Sequence, residues 1–204
     1  MLPLQKQIYT LEEYLELDHE NAEKIGFRDG HVFTAAGASA SRNRIQSNAH
    51  FYLRLKLRGR ACEVFPSDMR VGVPAYPPYR YPALSALCGQ TIIERLGKQN
   101  ILTNPSLIVE ILSDSSAEFE RGYKFTYYKS IPALTEYILI ARDRPHVTQF
   151  VKQTENNWRH REFNSIDEHF FLASLDCELE LSELYEGVEF PEIQNRFNLI
   201  AEND

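Results

Sequence analysis

The run Leu107-Ile108-Val109-Glu110-Ile111-Leu112 constrains the fold more than any other stretch of the chain. Its apolar residues do not alternate with polar ones. A strand built from them could turn neither face to water, so it belongs in the middle of a sheet covered on both sides. Glu110 interrupts that pattern. An ionised carboxylate inside such a strand needs a metal, a cation or hydrogen-bond donors to offset its lost hydration, or else a place at the sheet end where water or an arginine serves instead.

Around this strand the sequence alternates helix and strand signals. Thr10 with Glu13 makes a capping box, and Leu11, Tyr14 and Leu15 supply the apolar stripe of a short helix ending near Asn21. Asp29-Gly30 is a hairpin turn between Lys24–Arg28 and His31–Ala36, a hairpin expected to open the main sheet. Ser39 or Ser41 caps a longer helix through Ile45, Ala49 and Tyr52, with Gly59 as its stop. Cys62–Val73 and Arg80–Cys88 read as two strands of one hairpin, because Pro74, Pro77 and Pro78 exclude regular pairing between them. Gly97–Asn104 reads as a polar connector. Ser115 with Glu118 starts a further helix, with Phe119, Tyr123 and Tyr127 on one face and Pro132 at its end. Tyr137–Ala141, His146–Lys152 and Trp158–Phe163 form a meander. The expected class is α+β, α/β/α-like, a mixed central sheet flanked by helices.

Two hundred and four residues suffice for one domain, taken as 1–190, with 191–204 as a C-terminal tail. Twenty-two Lys and Arg against 29 Asp and Glu make the chain acidic, so any nucleic-acid contact has to come from a local patch. Arg54, Lys56, Arg58 and Arg60 form the dense basic cluster, which could hold a phosphate backbone or complement a helix C-terminus. Cys62, Cys88 and Cys177 are odd in number and widely spaced, as expected of buried thiols in a reducing compartment. The N-terminal residues lack the apolar run of a signal peptide and no segment is long enough to span a membrane, so a soluble, cytoplasmic protein is expected. The histidines lack zinc-site spacing, and neither a phosphate-binding loop nor a dinucleotide fingerprint occurs.

Lys124 follows Glu110 by fourteen positions, on a helix that reverses direction after the strand. Its long stem could reach the carboxylate, or it could be a surface cation. Arg121 is its neighbour, placed for a phosphate or for Glu118 and Glu120. Ser113-Asp114-Ser115-Ser116 lies at the strand-to-helix junction without the glycines of a nucleophile elbow, and capping accounts for it.

Four segments taken in order, Phe65–Val71, Tyr81–Ser85, Asn104-Pro105 with Val109–Ser113, and Arg121–Phe125, resemble the Uma-type restriction endonucleases of the PD-(D/E)XK nuclease superfamily over roughly Tyr9 to Gly187. The resemblance implies a restriction-endonuclease-like fold and a magnesium-dependent DNA endonuclease, with homodimerisation by analogy. It also implies a site of four residues: an N-terminal glutamate, an aspartate after proline, a strand glutamate that holds the metal, and a helix-borne lysine. Glu110 and Lys124 match the last two, which makes both catalytic candidates and Glu110 the metal ligand. Gly26 and Ala83 stand where the two other acids are expected, so magnesium binding and cleavage should be weakened or absent. Glu23 could replace the first acid only on a non-strand backbone, because side chains on a strand alternate. Asp68 lies in a matching motif without a reason to face the metal. The reading from another class is a catalytically dead nuclease fold kept as a nucleic-acid or protein binding module.

Overall fold

The computed structural model describes residues 8–20, 25–28, 30–34, 39–74, 79–112 and 124–190. Helix α1 (Leu11–Glu20) begins at the expected capping box: the Glu13 amide donates to Thr10 Oγ1 at 3.2 Å and the Thr10 amide to Glu13 Oε2 at 2.8 Å. Strands β1 (Ile25–Arg28) and β2 (His31–Thr34) pair antiparallel, with Gly30 in the left-handed region at φ +82°. That hairpin is a sheet of its own rather than the opening of the main one. Helix α2 (Ala40–Lys56) is capped by Ser39, whose Oγ accepts from the Arg42 amide at 3.2 Å, and it buries Ile45, Ala49 and Leu53.

The main sheet has six strands, in the order β12-β11-β10-β9-β6-β3. These are β3 (Cys62–Pro66), β6 (Leu84–Cys88), β9 (Leu107–Ile111), β10 (Glu136–Ile140), β11 (Val147–Thr154) and β12 (Asn157–Phe163). As its unbroken apolar run requires, β9 is central and buried throughout. It runs parallel to β10 and antiparallel to β6. Parallel neighbours need a crossover, and this one carries the short helix α3 (Phe125–Tyr128). The meander β10-β11-β12 is antiparallel throughout.

Both faces of the sheet are covered. On one, α2 packs with the hairpin β13 (His169–Leu172)–β14 (Cys177–Glu180) and the short helix α4 (Leu181–Leu184) over Leu107, Val109, Ile111, Ile138 and Ile140. On the other, Ile108, Leu112, Tyr137 and Leu139 meet Phe125, Tyr128, Ile131 and Leu134. A second sheet, ordered β5-β4-β8-β7, joins β4 (Arg70–Gly72), β5 (Tyr79–Arg80), β7 (Ile93–Leu96) and β8 (Gln99–Leu102). α1 packs against β1, β2 and the Tyr79 and Ile101 side chains of this second sheet.

Several expectations need correction. Cys62–Val73 is two strands in different sheets, because the turn at Ser67-Asp68 redirects the chain. Arg80–Cys88 is likewise split between β5 and β6, with Pro82 and Ala83 outside both. The supposed connector Gly97–Asn104 holds β8, which pairs with β7. The thiol reading fails for two of the three cysteines: antiparallel register sets Cys62 directly across from Cys88, and they form a disulfide, while Cys177 is free. The helix start at Ser115 and Glu118, Arg121, and the 191–204 tail lie outside the described residues.

Candidate functional site

Strand alternation decides which way Glu110 points. Leu107, Val109 and Ile111 pack under α2, so Glu110 shares the opposite face with Ile108 and Leu112, toward α3. The residue is 0% exposed. Oε1 receives the Tyr128 hydroxyl at 2.8 Å and lies 3.1 Å from Lys124 Nζ. Lys124 and Tyr128 are four apart where the chain turns into α3, which stacks them on one side of the turn. Oε2 is also buried but has no hydrogen-bond partner. Burial, and then the Glu110 charge, push the Tyr128 phenol well above its ordinary pKa, so it remains a donor through the physiological range.

Arg80 is a second cation near this carboxylate. Its Nη1 donates to the Phe27 carbonyl at 3.2 Å, and its guanidinium lies over the Tyr127 ring at 4.5 Å. Nε and Nη2 are shut off from solvent without partners. Desolvation lowers the Arg80 pKa, opposed by Tyr128, Tyr127, Tyr14 and Glu110 around it. Two orphaned donors and one orphaned acceptor within one electrostatic neighbourhood are expensive for a fold to retain.

Ala83 lies just before β6, one residue ahead of the Leu84–Val109 pair that ends the β6–β9 register, on the face away from the Glu110 carboxylate. The methyl is 0% exposed and packs in the apolar cluster beneath α2. Gly26 lies on β1 opposite Phe33, between the buried Ile25 and Phe27, whose carbonyl is the one held by Arg80. Asp68 is in an exposed turn, and Glu23 lies outside the described residues. Among the described residues no group of three or more His, Cys, Asp or Glu is placed to hold a metal ion. The residues present therefore do not fit magnesium as a complete site: Oε2 of Glu110 is one ligand, and the positive charge of Lys124 already stands beside that carboxylate.

The structure thus brings Glu110 and Lys124 together and adds Tyr128 and Arg80, which the sequence reading did not single out. The spacing of Tyr128 from Lys124 was a signal for the first. Nothing local marks Arg80, whose neighbours come from β1 and α3. The basic cluster at the end of α2 is not an open patch: Lys56 pairs with Glu183 at 2.8 Å, Arg54 with Glu63 at 3.5 Å, and Arg60 with Asp176 at 3.7 Å. A separate buried acid, Asp18 on α1, accepts from Arg70 at 2.9 Å, Tyr79 at 2.8 Å and Tyr81 at 3.0 Å, and ties α1 to β4 and β5.

The chain is similar to known proteins over most of its length. The Uma2 family, described as "Putative restriction endonuclease", matches residues 11–183. Uncharacterized protein sll1609 of Synechocystis is 36% identical over 152 residues, covering 74% of this chain and 85% of that protein. Uncharacterized protein slr1290 of the same organism is 27% identical over 179 residues, 88% of this chain and 92% of that one. A crystal structure described as a putative nuclease belonging to DUF820 from Anabaena variabilis superposes with a TM-score of 0.70 at 17% identity, over 88% of this chain and 99% of its own. The mixed α+β architecture is the restriction-endonuclease-like nuclease fold.

Proposed function

Because the chain belongs to the Uma2 family, we propose that it is a nuclease-fold protein directed at the phosphodiester backbone of DNA, with magnesium-dependent cleavage weakened or lost through Gly26 and Ala83. The observation that carries this reading is the Glu110 carboxylate, buried with one oxygen held by Lys124 and Tyr128 and the other unserved. A fold does not gain stability by burying half of a charged group unsatisfied. It keeps such a group where a ligand completes it.

Magnesium, where a site holds it, would orient and activate a water and neutralise phosphate charge. This chain's own residues offer something narrower. Lys124, with 20% of its side chain exposed, is the cation that a phosphate oxygen can reach, and the guanidinium of Arg80 adds positive charge from beneath it. Glu110 fixes the Lys124 ammonium, and Tyr128 fixes Glu110. Ala83 favours the second form of the proposal, a binding module for nucleic acid or protein, because a buried methyl stands where the family resemblance expects an acid.

Titration of magnesium and manganese into the wild type and into the Gly26→Glu, Ala83→Asp variant, each followed by plasmid nicking, separates the two forms. Metal binding and nicking by the wild type support an active, weakened enzyme. Nicking by the double variant alone makes the natural chain a binding module on a nuclease frame. Failure of both, with the variant folded, removes the site assignment. A cytoplasmic setting and a homodimer belong to the same proposal. Among the described residues no helix is long and apolar enough to cross a membrane. The Cys62–Cys88 bond makes the compartment testable: thiol trapping from intact cells should recover both cysteines reduced if the chain is cytoplasmic, since disulfides persist mainly in oxidising compartments.

A further inference from the structure

The face of the main sheet that carries Glu110 continues into a row of aromatic rings. Tyr128, bonded to Glu110, lies 5.6 Å from the Tyr137 ring, which stacks on Phe125 at 4.9 Å. Phe125 meets Phe150 at 4.5 Å and the edge of Trp158 at 5.2 Å, and Phe150 stacks on His160 at 5.0 Å with the planes 22° apart. The inner rings are buried. Phe150 and Trp158 are half-buried, and the His160 side chain is 50% exposed, so the row surfaces on β11 and the edge strand β12.

Cations border the rings where they surface. Lys129 Nζ sits 4.8 Å from the Phe125 ring, and Lys152 pairs in register with Trp158, which puts it on the same face. Arg159 and Arg161 flank His160 on the same strand, facing the other way. Among the described residues none of these four cations is in an ion pair. The cluster at the end of α2 differs, because Glu63, Glu183 and Asp176 engage three of its members. Glu162, 3.4 Å from His160, is the acid at the far end of the row.

We propose that Trp158 and His160, backed by Phe150, form a stacking platform for the bases of a single-stranded nucleic acid, with Lys129 and Lys152 meeting its phosphates. The proposal rests on the backbone-directed reading above and deepens it: the platform is the exposed end of the ring row whose buried end, Tyr128, is bonded to Glu110. Rings alternating with cations match a chain whose apolar faces and charges alternate in the same way. A duplex keeps its base faces stacked on one another, so it cannot use the platform as a single strand does.

Trp158 is the sole tryptophan of the chain, which makes its emission a direct reporter. The full-length protein is titrated in EDTA with a short oligothymidylate, following indole fluorescence, and in parallel by anisotropy of a labelled oligonucleotide with a duplex of equal length as comparison. The expected result is saturable quenching by the single strand, affinity for it at least tenfold above the duplex, and a loss of about tenfold in His160→Ala and again in Lys152→Glu. Both substitutions are at the surface, so a folded variant is expected, and circular dichroism checks it. Absence of quenching, equal duplex affinity, or unchanged affinity in both folded variants overturns the platform. The EDTA and the separate nicking assay keep the two proposals apart. Restored nicking without quenching sinks the platform alone, whereas quenching in a variant that never nicks sinks the cleavage site alone.

Discussion

Two glutamates on adjacent strands of one sheet are buried equally and treated differently. Glu136 on β10 and Glu110 on β9 are each 0% exposed, but they look out of opposite faces. Glu136 accepts on both oxygens: Gln149 donates to Oε1 at 2.5 Å, and the Ser174 hydroxyl and amide donate to Oε2 at 2.6 and 3.0 Å. That carboxylate is a rivet, joining the β13–β14 turn to the sheet. Glu110 has two partners on one oxygen and none on the other. Buried depth alone does not mark a functional acid. An unserved oxygen at that depth does, since a hydrogen-bonded carboxylate of the first kind is complete without a ligand.

The comparison breaks most easily at the rivet. Glu136→Ala leaves the Ser174 amide and hydroxyl without their acceptor and Gln149 Nε2 with the Phe171 carbonyl alone, and should lower unfolding free energy by about 3–5 kcal/mol, read from denaturant midpoints. A loss below about 1 kcal/mol would erase the contrast between the two acids. Next, Ala83→Asp buries a carboxylate in the apolar cluster under α2 and should cost about 2–3 kcal/mol in EDTA, part of which magnesium restores if the new acid turns toward Glu110 and the two hold an ion in the folded state. A melting temperature indifferent to magnesium would mean that the two positions do not share an ion.

Tyr128→Phe removes one donor from Oε1 and should cost about 1–2 kcal/mol. The same phenol gives a pH test. Its folded pKa lies well above the unfolded value, and burial raises Tyr14 to about 12. Groups raised in this way contribute stability that is present in full below the unfolded tyrosine pKa of about 10 and is lost as pH climbs toward the folded values. Phenolate absorbance should show a class of tyrosines silent until alkaline unfolding, and Tyr128→Phe should shrink that class. The smallest effect belongs to Glu110→Gln. The amide still accepts from Tyr128, the unserved charge disappears, and Lys124, with 20% of its side chain exposed, regains water. Stability should stay within about 1 kcal/mol of wild type, while any nicking is abolished.

Much of this was legible in the sequence where local chemistry decides. The Thr10–Glu13 box, the Ser39 cap, the central position of Leu107–Ile111 and the meander all follow from spacing or from an unbroken apolar run. So does the meeting of Glu110 with Lys124, since the crossover returns above the strand's end. What stayed hidden depends on partners distant in sequence. β7–β8 is exposed on β7 and lacks an apolar signature, and the split at Pro82 is invisible until β5 and β6 enter different sheets. The Cys62–Cys88 pairing depends on register, which spacing does not give. Arg80 becomes notable only through what fails to bond with it.

Ala83 carries a consequence for what the core tolerates. Its methyl sits among the aliphatic side chains under α2, so the packing there is complete with alanine. A charged side chain at this position would have to be desolvated among aliphatic neighbours, so the fold itself resists an acid there. The architecture is indifferent to small apolar exchanges at the same place and selective against charge.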